Sequence, residues 1–364
     1  MEYIDKLGEQ LKELTDIPAP SGYEEHMIRF MKEKIESLGV KVEVDLSGNI
    51  VARIGKSSGK PKIMFIAHMD EVSLVVKKIE KNGFLRVEIM GGIPVAELPG
   101  VIVLVKTRKG DFLNGFFGYK SFHLIPPEQR LTPIPLEDLY VDVGCFSKEE
   151  VLNLGIEPGC MVVYGRNFIK RGHVVFAPAI DNRGGCLVLL KLIERLRNKN
   201  FNPEIFIVAS VLEEYNLRGV IPIARKLNPD FAISIDTAVS TDTPDFNNQL
   251  DIGLDKGPVI MTYSFNVRTA LSGVIPNPKL LSFVENAAGI AGIKVQKCAI
   301  HGWSTDVSWV QRENYGIPSI ELGFPTRYLH STMQACSLKD IEQLILILET
   351  LVCSIPEEIN LFRI

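Results

Sequence analysis

The fold predicted for this chain is α/β: a three-layer domain of helices around a mostly parallel sheet, with an inserted all-β domain. Three observations predict it. First, β-branched apolar runs alternate with amphipathic helical stretches up to residue 72 and again after residue 166, as strands and helices of a parallel sheet do. Second, residues 73–166 hold no convincing long amphipathic helix. They hold the short runs LVVKKI, FLRVEIM, VIVLVKT, FLNGFFG, LYVDVG and CMVVYG, separated by glycines and prolines. Third, several apolar runs outside that block end in acids or histidines, and ligands of parallel sheets gather at the carboxyl ends of strands. Residues 1–72 and 167–364 therefore form one domain, with 73–166 inserted into one of its loops.

Taken in order, Ile4, Leu7, Leu11 and Leu14 have helical spacing over residues 3–15, and Pro18 and Pro20 stop that helix. Ser21 with Glu24 three residues on reads as a capping box. The helix it opens buries Met27, Phe30, Met31, Ile35 and Leu38 and stops at Gly39. Val40, Val42, Val44 and Leu46 alternate as a strand with one buried face. Ser47-Gly48-Asn49 turns the chain into residues 50–54, and the turn KSSGK leads to the strand PKIMFIAHMDEV. Within the β block, SKEEVLNLG is one short helix. Beyond it, HVVFAPAI is a strand, and residues 184–197 form a helix with Leu187, Leu190, Ile193 and Leu196 on one side. Residues 202–212 form the next strand. Residues 218–227 form a short helix with Pro222 in its first turn. FAISID, PVIMTYSFNV and IKVQKCAI are strands, with a helix at 278–291 between the last two. A helix begins at Asp306, SIELGF is the last strand, and 338–354 is the closing helix.

Composition narrows the function classes. With 46% hydrophobic and 23% charged residues the chain is globular. No run approaches the roughly 18 apolar residues of a membrane span, and the charged start MEYIDKLGEQLKEL has no signal-peptide core. The expected location is the cytoplasm, with no membrane partner. A net charge of −4 counts against nucleic acid as a partner. Cys145, Cys160, Cys186, Cys298, Cys336 and Cys353 form no CxxC pair and read as reduced thiols rather than a zinc–thiolate site.

The functional reading centres on IFIVASVLEEYNLRG, residues 205–219. Its apolar strand runs into two adjacent acids, Glu213 and Glu214. Two acids brought together there are costly unless something positive lies between them, and a divalent cation is the simplest candidate. Matching donors end other segments: His68 and Asp70 in PKIMFIAHMDEV, Asp181 before a helix in APAIDNRGG, Asp236 in DFAISIDTAV, and His330 after SIELGF. Each has a bland reading alone. An Asp before a helix is usually an N-cap, a Glu pair is usually solvated, and a strand-end His is usually structural. His26, His123, His173 and His301 stay in the structural class, with His123 on a loop that could reach a neighbouring subunit's site. Two residues after His68, Asp70 is placed to hold the imidazole N–H. Adjacent extended residues point to opposite sides, which lets Glu213 and Glu214 take different roles.

In this order, His68-Met69-Asp70-Glu71, Asp181-Asn182-Arg183, Glu213-Glu214, Asp236 and Arg327-Tyr328-Leu329-His330 resemble a family of dinuclear metallopeptidases. These are the M42 glutamyl- and deblocking-type aminopeptidases, related to the tetrahedral TET aminopeptidases. Pro20-Ser21-Gly22, Gly91-Gly92, Leu98-Pro99-Gly100, Gly257-Pro258 and Thr305-Asp306 extend the resemblance over nearly the whole chain. The departures are Ser73 for Gly, Asn182 for Asp, Tyr215-Asn216 for Val-Gly, and Ser121-Phe122-His123-Leu124 for a PPHLL-like loop. None removes a ligand; they bear on substrate preference. The resemblance implies an α/β/α domain with a PDZ-like inserted β domain used in assembly. It implies two divalent ions per subunit: His68 and Asp236 on one, Glu214 and His330 on the other, Asp181 on both. Zinc is expected, with cobalt the alternative. Two dications about 3.5 Å apart repel by about 19 kcal/mol at an effective dielectric of about 20, so three ligand carboxylates are a reasonable complement. Glu213 is the implied general base, Arg183, Arg327 and Asp306 read as scaffolding, and short peptides are the implied substrates of an aminopeptidase. A homo-oligomer built on dimers, up to a dodecamer, is the implied assembly. The alternatives are an N-acyl or carboxypeptidase-like dinuclear hydrolase, a glycoside hydrolase using two carboxylates about 5–10 Å apart, and a non-catalytic assembly protein.

Overall fold

The computed structural model describes residues 2–56, 58, 60–246, 250–266 and 272–364. Parts of the KSSGK turn, of PVIMTYSFNV and of the loop at 241–256 lie outside them. At the centre of a twelve-stranded sheet, four strands run parallel in the order Glu204–Ser210, Lys62–His68, Phe231–Val239, Ser319–Arg327. Successive side chains on a strand face opposite ways, and here both faces are covered. Ile63, Phe65 and Ala67 pack into a core with helices Glu2–Thr15, Glu25–Ser37, Ile180–Leu196, Pro278–Ile290 and Leu338–Ser354. Met64 and Ile66 pack the other way, against Ile221–Leu227 and Val307–Val310. Double coverage is why these strands read as unbroken apolar runs.

Away from the centre the pairing is mostly antiparallel, the exception being Val259–Asn266, which runs parallel to Gln296–His301. Ile50–Ile54 joins Glu204–Ser210 and carries Val42–Val44 outside it. On the other side Ser319–Arg327 pairs with Gln334–Ser337, then come Val174–Ala177 and Ile169–Arg171. Val259–Asn266 also pairs antiparallel with Ser319–Arg327. The mostly parallel sheet expected from the alternation is thus a parallel centre inside a mixed sheet. Short links such as those joining 42–44 to 50–54 and 169–171 to 174–177 permit only antiparallel neighbours.

Between residues 73 and 164, six strands close into an antiparallel barrel: Ser73–Ile79, Leu85–Met90, Ile102–Lys106, Phe112–Gly118, Tyr140–Asp142 and Met161–Tyr164. They correspond one to one with the six β runs of the sequence. Leu74, Val76, Val105, Phe117, Val141 and Val162 form a core separate from that of the sheet. The short helix Lys148–Asn153 is capped by Ser147, whose Oγ accepts from the Glu150 N–H at 3.2 Å.

Local expectations fail at three places: the capping box and two strands. Ser21 caps nothing: the helix starts at Glu25 without a side-chain cap, and the Ser21 hydroxyl donates instead to Asp70 Oδ2 at 2.6 Å. Glu24 Oε1 accepts from the N–H groups of Gly22 and Leu212 at 2.8 and 3.2 Å. The strand read over 40–46 shrinks to Val42–Val44, with Leu46 fully exposed. The strand read over 202–212 ends at Ser210, which leaves Glu213 and Glu214 in the turn beyond it. Among the described residues no helix is long and apolar enough to cross a membrane.

Candidate active site

The ends of the central strands open onto a cleft of about 500 Å³ lined by His68, Asp181, Glu213, Glu214, Asp236 and His330. All the expected ligands and the expected base are therefore together. His68 Nε2 lies 3.1 Å from Asp181 Oδ1 and 3.8 Å from both Glu213 Oε2 and Asp236 Oδ1. His330 Nε2 lies 3.5 Å from Asp181 Oδ2 and 3.5 Å from Glu214 Oε1. Asp181 thus turns one oxygen to each imidazole.

Local backbone sets each of these positions. Leu212, Asn216 and Leu217 have φ of 60°, 73° and 55°, and the Leu217 N–H donates to the Glu213 carbonyl at 2.7 Å. This turn is clamped by Asp70, whose two carboxylate oxygens accept from the N–H groups of Glu213 and Glu214, each at 3.0 Å. One expectation is corrected here, and the contact of Asp70 with the His68 imidazole is made more specific. Glu213 and Glu214 diverge within a tight turn, not by the alternation of an extended strand. Asp70 also meets His68 chiefly through its main-chain carbonyl, which accepts from Nδ1 at 3.1 Å, while its carboxylate Oδ1 stands 3.5 Å away. Asp181 is no N-cap either: it and Asn182 have non-helical dihedrals ahead of the regular helix, and Asp181 makes no capping bond. Its N–H donates to Gln334 Oε1 at 2.7 Å, and its Oδ2 accepts from Thr237 Oγ1 at 3.1 Å.

The electrostatics of the cleft are unbalanced. Four buried or nearly buried acids face two imidazoles, and among the described lining residues there is no Lys or Arg. Burial, reinforced by neighbouring carboxylates, lifts Glu213 and Asp236 well above the usual carboxylate range, against the pull of His68. The same causes lift Glu214 to about 7, opposed by His330. Burial also disfavours charge on Asp181, but hydrogen bonding to both imidazoles outweighs it and holds that carboxyl low. For His330 burial opposes protonation, yet Glu214 and Asp181 raise it to about 10. This donor set is short of positive charge, and divalent cations fit it. Two groups, His68–Asp181–Glu214 and His68–Glu213–Asp236, each bring one ligand atom per residue within 4.8 Å of the others. Imidazole nitrogens with carboxylate oxygens suit zinc and its neighbours. His330 falls outside both groups and Glu213 inside one, which differs from the division of roles the resemblance implies.

The scaffolding residues are placed as follows. Arg183 is fully buried and donates to the carbonyls of Leu14, Ile17 and Met69 and to Glu71 Oε1, the first, second and last at 3.2, 3.1 and 3.2 Å. Arg327 pairs with both oxygens of Asp242 at 2.7 and 2.6 Å. Asp306 accepts from Ser210 Oγ at 2.5 Å. His26, His123, His173 and His301 do not line the cleft. Ser21, Thr237 and Gln334 support the site without any sequence signal specific to it. Arg183→Leu is expected to cost about 3–5 kcal/mol of stability, because it leaves Glu71 and several buried carbonyls short of a donor. Urea unfolding of the variant measures this, and a loss under about 1 kcal/mol would contradict it.

The sequence model of the M42 glutamyl aminopeptidase family matches residues 48–347. A glutamyl aminopeptidase of Lactococcus lactis is 31% identical, over 98% of this chain and 98% of its own. An aminopeptidase structure from the archaeon Desulfurococcus kamchatkensis is 31% identical, covers 98% of this chain and 96% of its own, and superposes with a TM-score of 0.91. The TET1 peptidase of Pyrococcus horikoshii, which can assemble into a tetrahedron or a large octahedral shell, is 32% identical. It covers 96% of this chain and 100% of its own, with a TM-score of 0.84. On the strength of a family match that spans the strands, the barrel and the cleft alike, this chain belongs to the M42 glutamyl aminopeptidase family and is a peptide hydrolase.

Proposed function

We propose that the cleft is the centre of a dinuclear metal-dependent aminopeptidase that removes N-terminal residues from short peptides. The observation that carries this reading is Asp181 facing both His68 and His330 among further acids at the strand ends. His68 and Asp236 would hold one ion, Glu214 and His330 the other, and Asp181 both, with zinc first and cobalt as the alternative. When bound, such a pair of ions supplies Lewis acidity at the scissile carbonyl and a water made acidic enough to attack at neutral pH.

The chain's own residues do the rest. Glu213 is buried at the mouth of the strand ends, with Oε2 3.8 Å from His68 Nε2. It is suited to take a proton from the attacking water and return it to the leaving amine. Asp70 fixes the turn that aims Glu213 and, through its carbonyl, the tautomer of His68. Tyr215, Asn216, Trp303 and Ser304 form further walls of the cleft. Since Tyr215-Asn216 is a departure from the family pattern, these two residues are placed to tune substrate preference. A glycoside hydrolase would leave both imidazoles without work. The barrel is read as the assembly domain of a homo-oligomer, in keeping with the shells formed by the TET1 relative. Six free thiols fit a reducing compartment such as the cytoplasm.

The test is a metal-reconstituted screen of aminoacyl-fluorophore substrates, each with a free and an acylated amino group. Turnover is expected on free amines alone. Activity confined to acylated substrates would overturn the aminopeptidase reading in favour of an N-acyl hydrolase.

A further inference from the structure

We propose that the barrel positions the metal ligand His330, with Gly92 and Tyr164 as its positioning residues; this rests on the dinuclear reading above. His330 sits in a turn beyond its strand, at φ 62°, where regular pairing does not fix the ring. Two contacts from the barrel take over that task. The His330 Nδ1 donates to the main-chain carbonyl of Gly92 at 2.7 Å. The Tyr164 hydroxyl donates to the main-chain carbonyl of His330 at 3.1 Å. Gly92 follows the barrel strand Leu85–Met90, and Tyr164 ends the barrel strand Met161–Tyr164.

A carbonyl can only accept, so the proton of a neutral His330 is pinned to Nδ1. Nε2, with its lone pair, is thereby turned toward Asp181 and Glu214. The approach is close: a Cβ at Gly92 would lie 2.9 Å from Nδ1 and 3.4 Å from Cε1 of His330. Gly92, unlike Gly91, is not among the glycines with positive φ, so a methyl group there acts on the ring rather than on the backbone. Just past Tyr164, Arg166 pairs with both oxygens of Glu71, at 2.8 and 2.5 Å, which fastens the exit of the barrel beside the loop after His68. The barrel therefore braces a site whose candidate ligands all come from the sheet domain.

The test titrates zinc into the metal-free full chain, as wild type, Gly92→Ala and Tyr164→Phe, by competition with a chelator. In Gly92→Ala the affinity for one equivalent falls by about 10–100-fold, the range for losing an outer partner of a ligating imidazole. The other equivalent stays within about twofold. Tyr164→Phe shifts the same equivalent less, and the metal-free unfolding midpoints of both variants stay near wild type. Equal weakening of both equivalents, or no weakening in either variant, would overturn the positioning role. Fewer than two equivalents in the wild type would instead overturn the dinuclear reading. The positioning role is then decided by a crystal structure of metal-free Gly92→Ala: a ring displaced from residue 92 supports it, and an unmoved ring overturns it.

Discussion

Glu213→Gln is expected to keep its metal ions and lose turnover by about two to four orders of magnitude, the usual span for removing a general acid–base group. Glutamine keeps the volume of the side chain and the N–H that Asp70 holds, so the turn survives. What goes is the proton acceptor. Glu214→Gln, one residue on, is expected to lose turnover and one metal equivalent together, because its Oε1 faces His330. The comparison is sharp because Glu213 stands near His68 and Asp236, as a ligand would. Steady-state kinetics with metal analysis of both variants decides it. Equal metal loss in the two would contradict the division of roles.

Asp181→Asn is expected to weaken both metal equivalents by more than about 100-fold, the ceiling for outer partners of a ligand. Asp181 turns Oδ1 to His68 at 3.1 Å and Oδ2 to His330 at 3.5 Å. The amide keeps the shape but loses the charge and one acceptor. Its loss should also leave the facing imidazoles without the partner that holds the centre together. Calorimetric titration with zinc measures it. Retention of either equivalent at wild-type affinity would show that Asp181 serves one ion at most.

The site was legible in the sequence to a greater degree than its supports. His68, Asp181, Glu213, Glu214, Asp236 and His330 could be found because each follows or precedes a strong apolar run, and buried parallel strands make such runs. The six barrel strands were legible for a related reason, since glycines and prolines bound each one. The failures share a cause: their partners are distant in sequence. Ser21 and Glu24 have the spacing of a capping box, yet Ser21 is bound to Asp70, 49 residues on. Nothing local distinguishes the two outcomes. Gln334–Ser337 is a buried four-residue strand, too short for periodicity to register. Its Gln334 reaches back 153 residues to the Asp181 N–H. Gly92 carries no chemistry of its own, and its use emerges only when the barrel packs against His330. The antiparallel flanks were hidden because alternation of strands and helices reports the centre of a sheet better than its edges.

The central claim is that sheet and barrel together hold two ions in one cleft. Its most direct measurement is the metal content of the full chain after loading with excess zinc and removal of unbound ion. Two equivalents per chain are predicted, falling to one in Glu214→Gln and to none in Asp181→Asn. One equivalent or none in the wild type, under every loading condition, would contradict it.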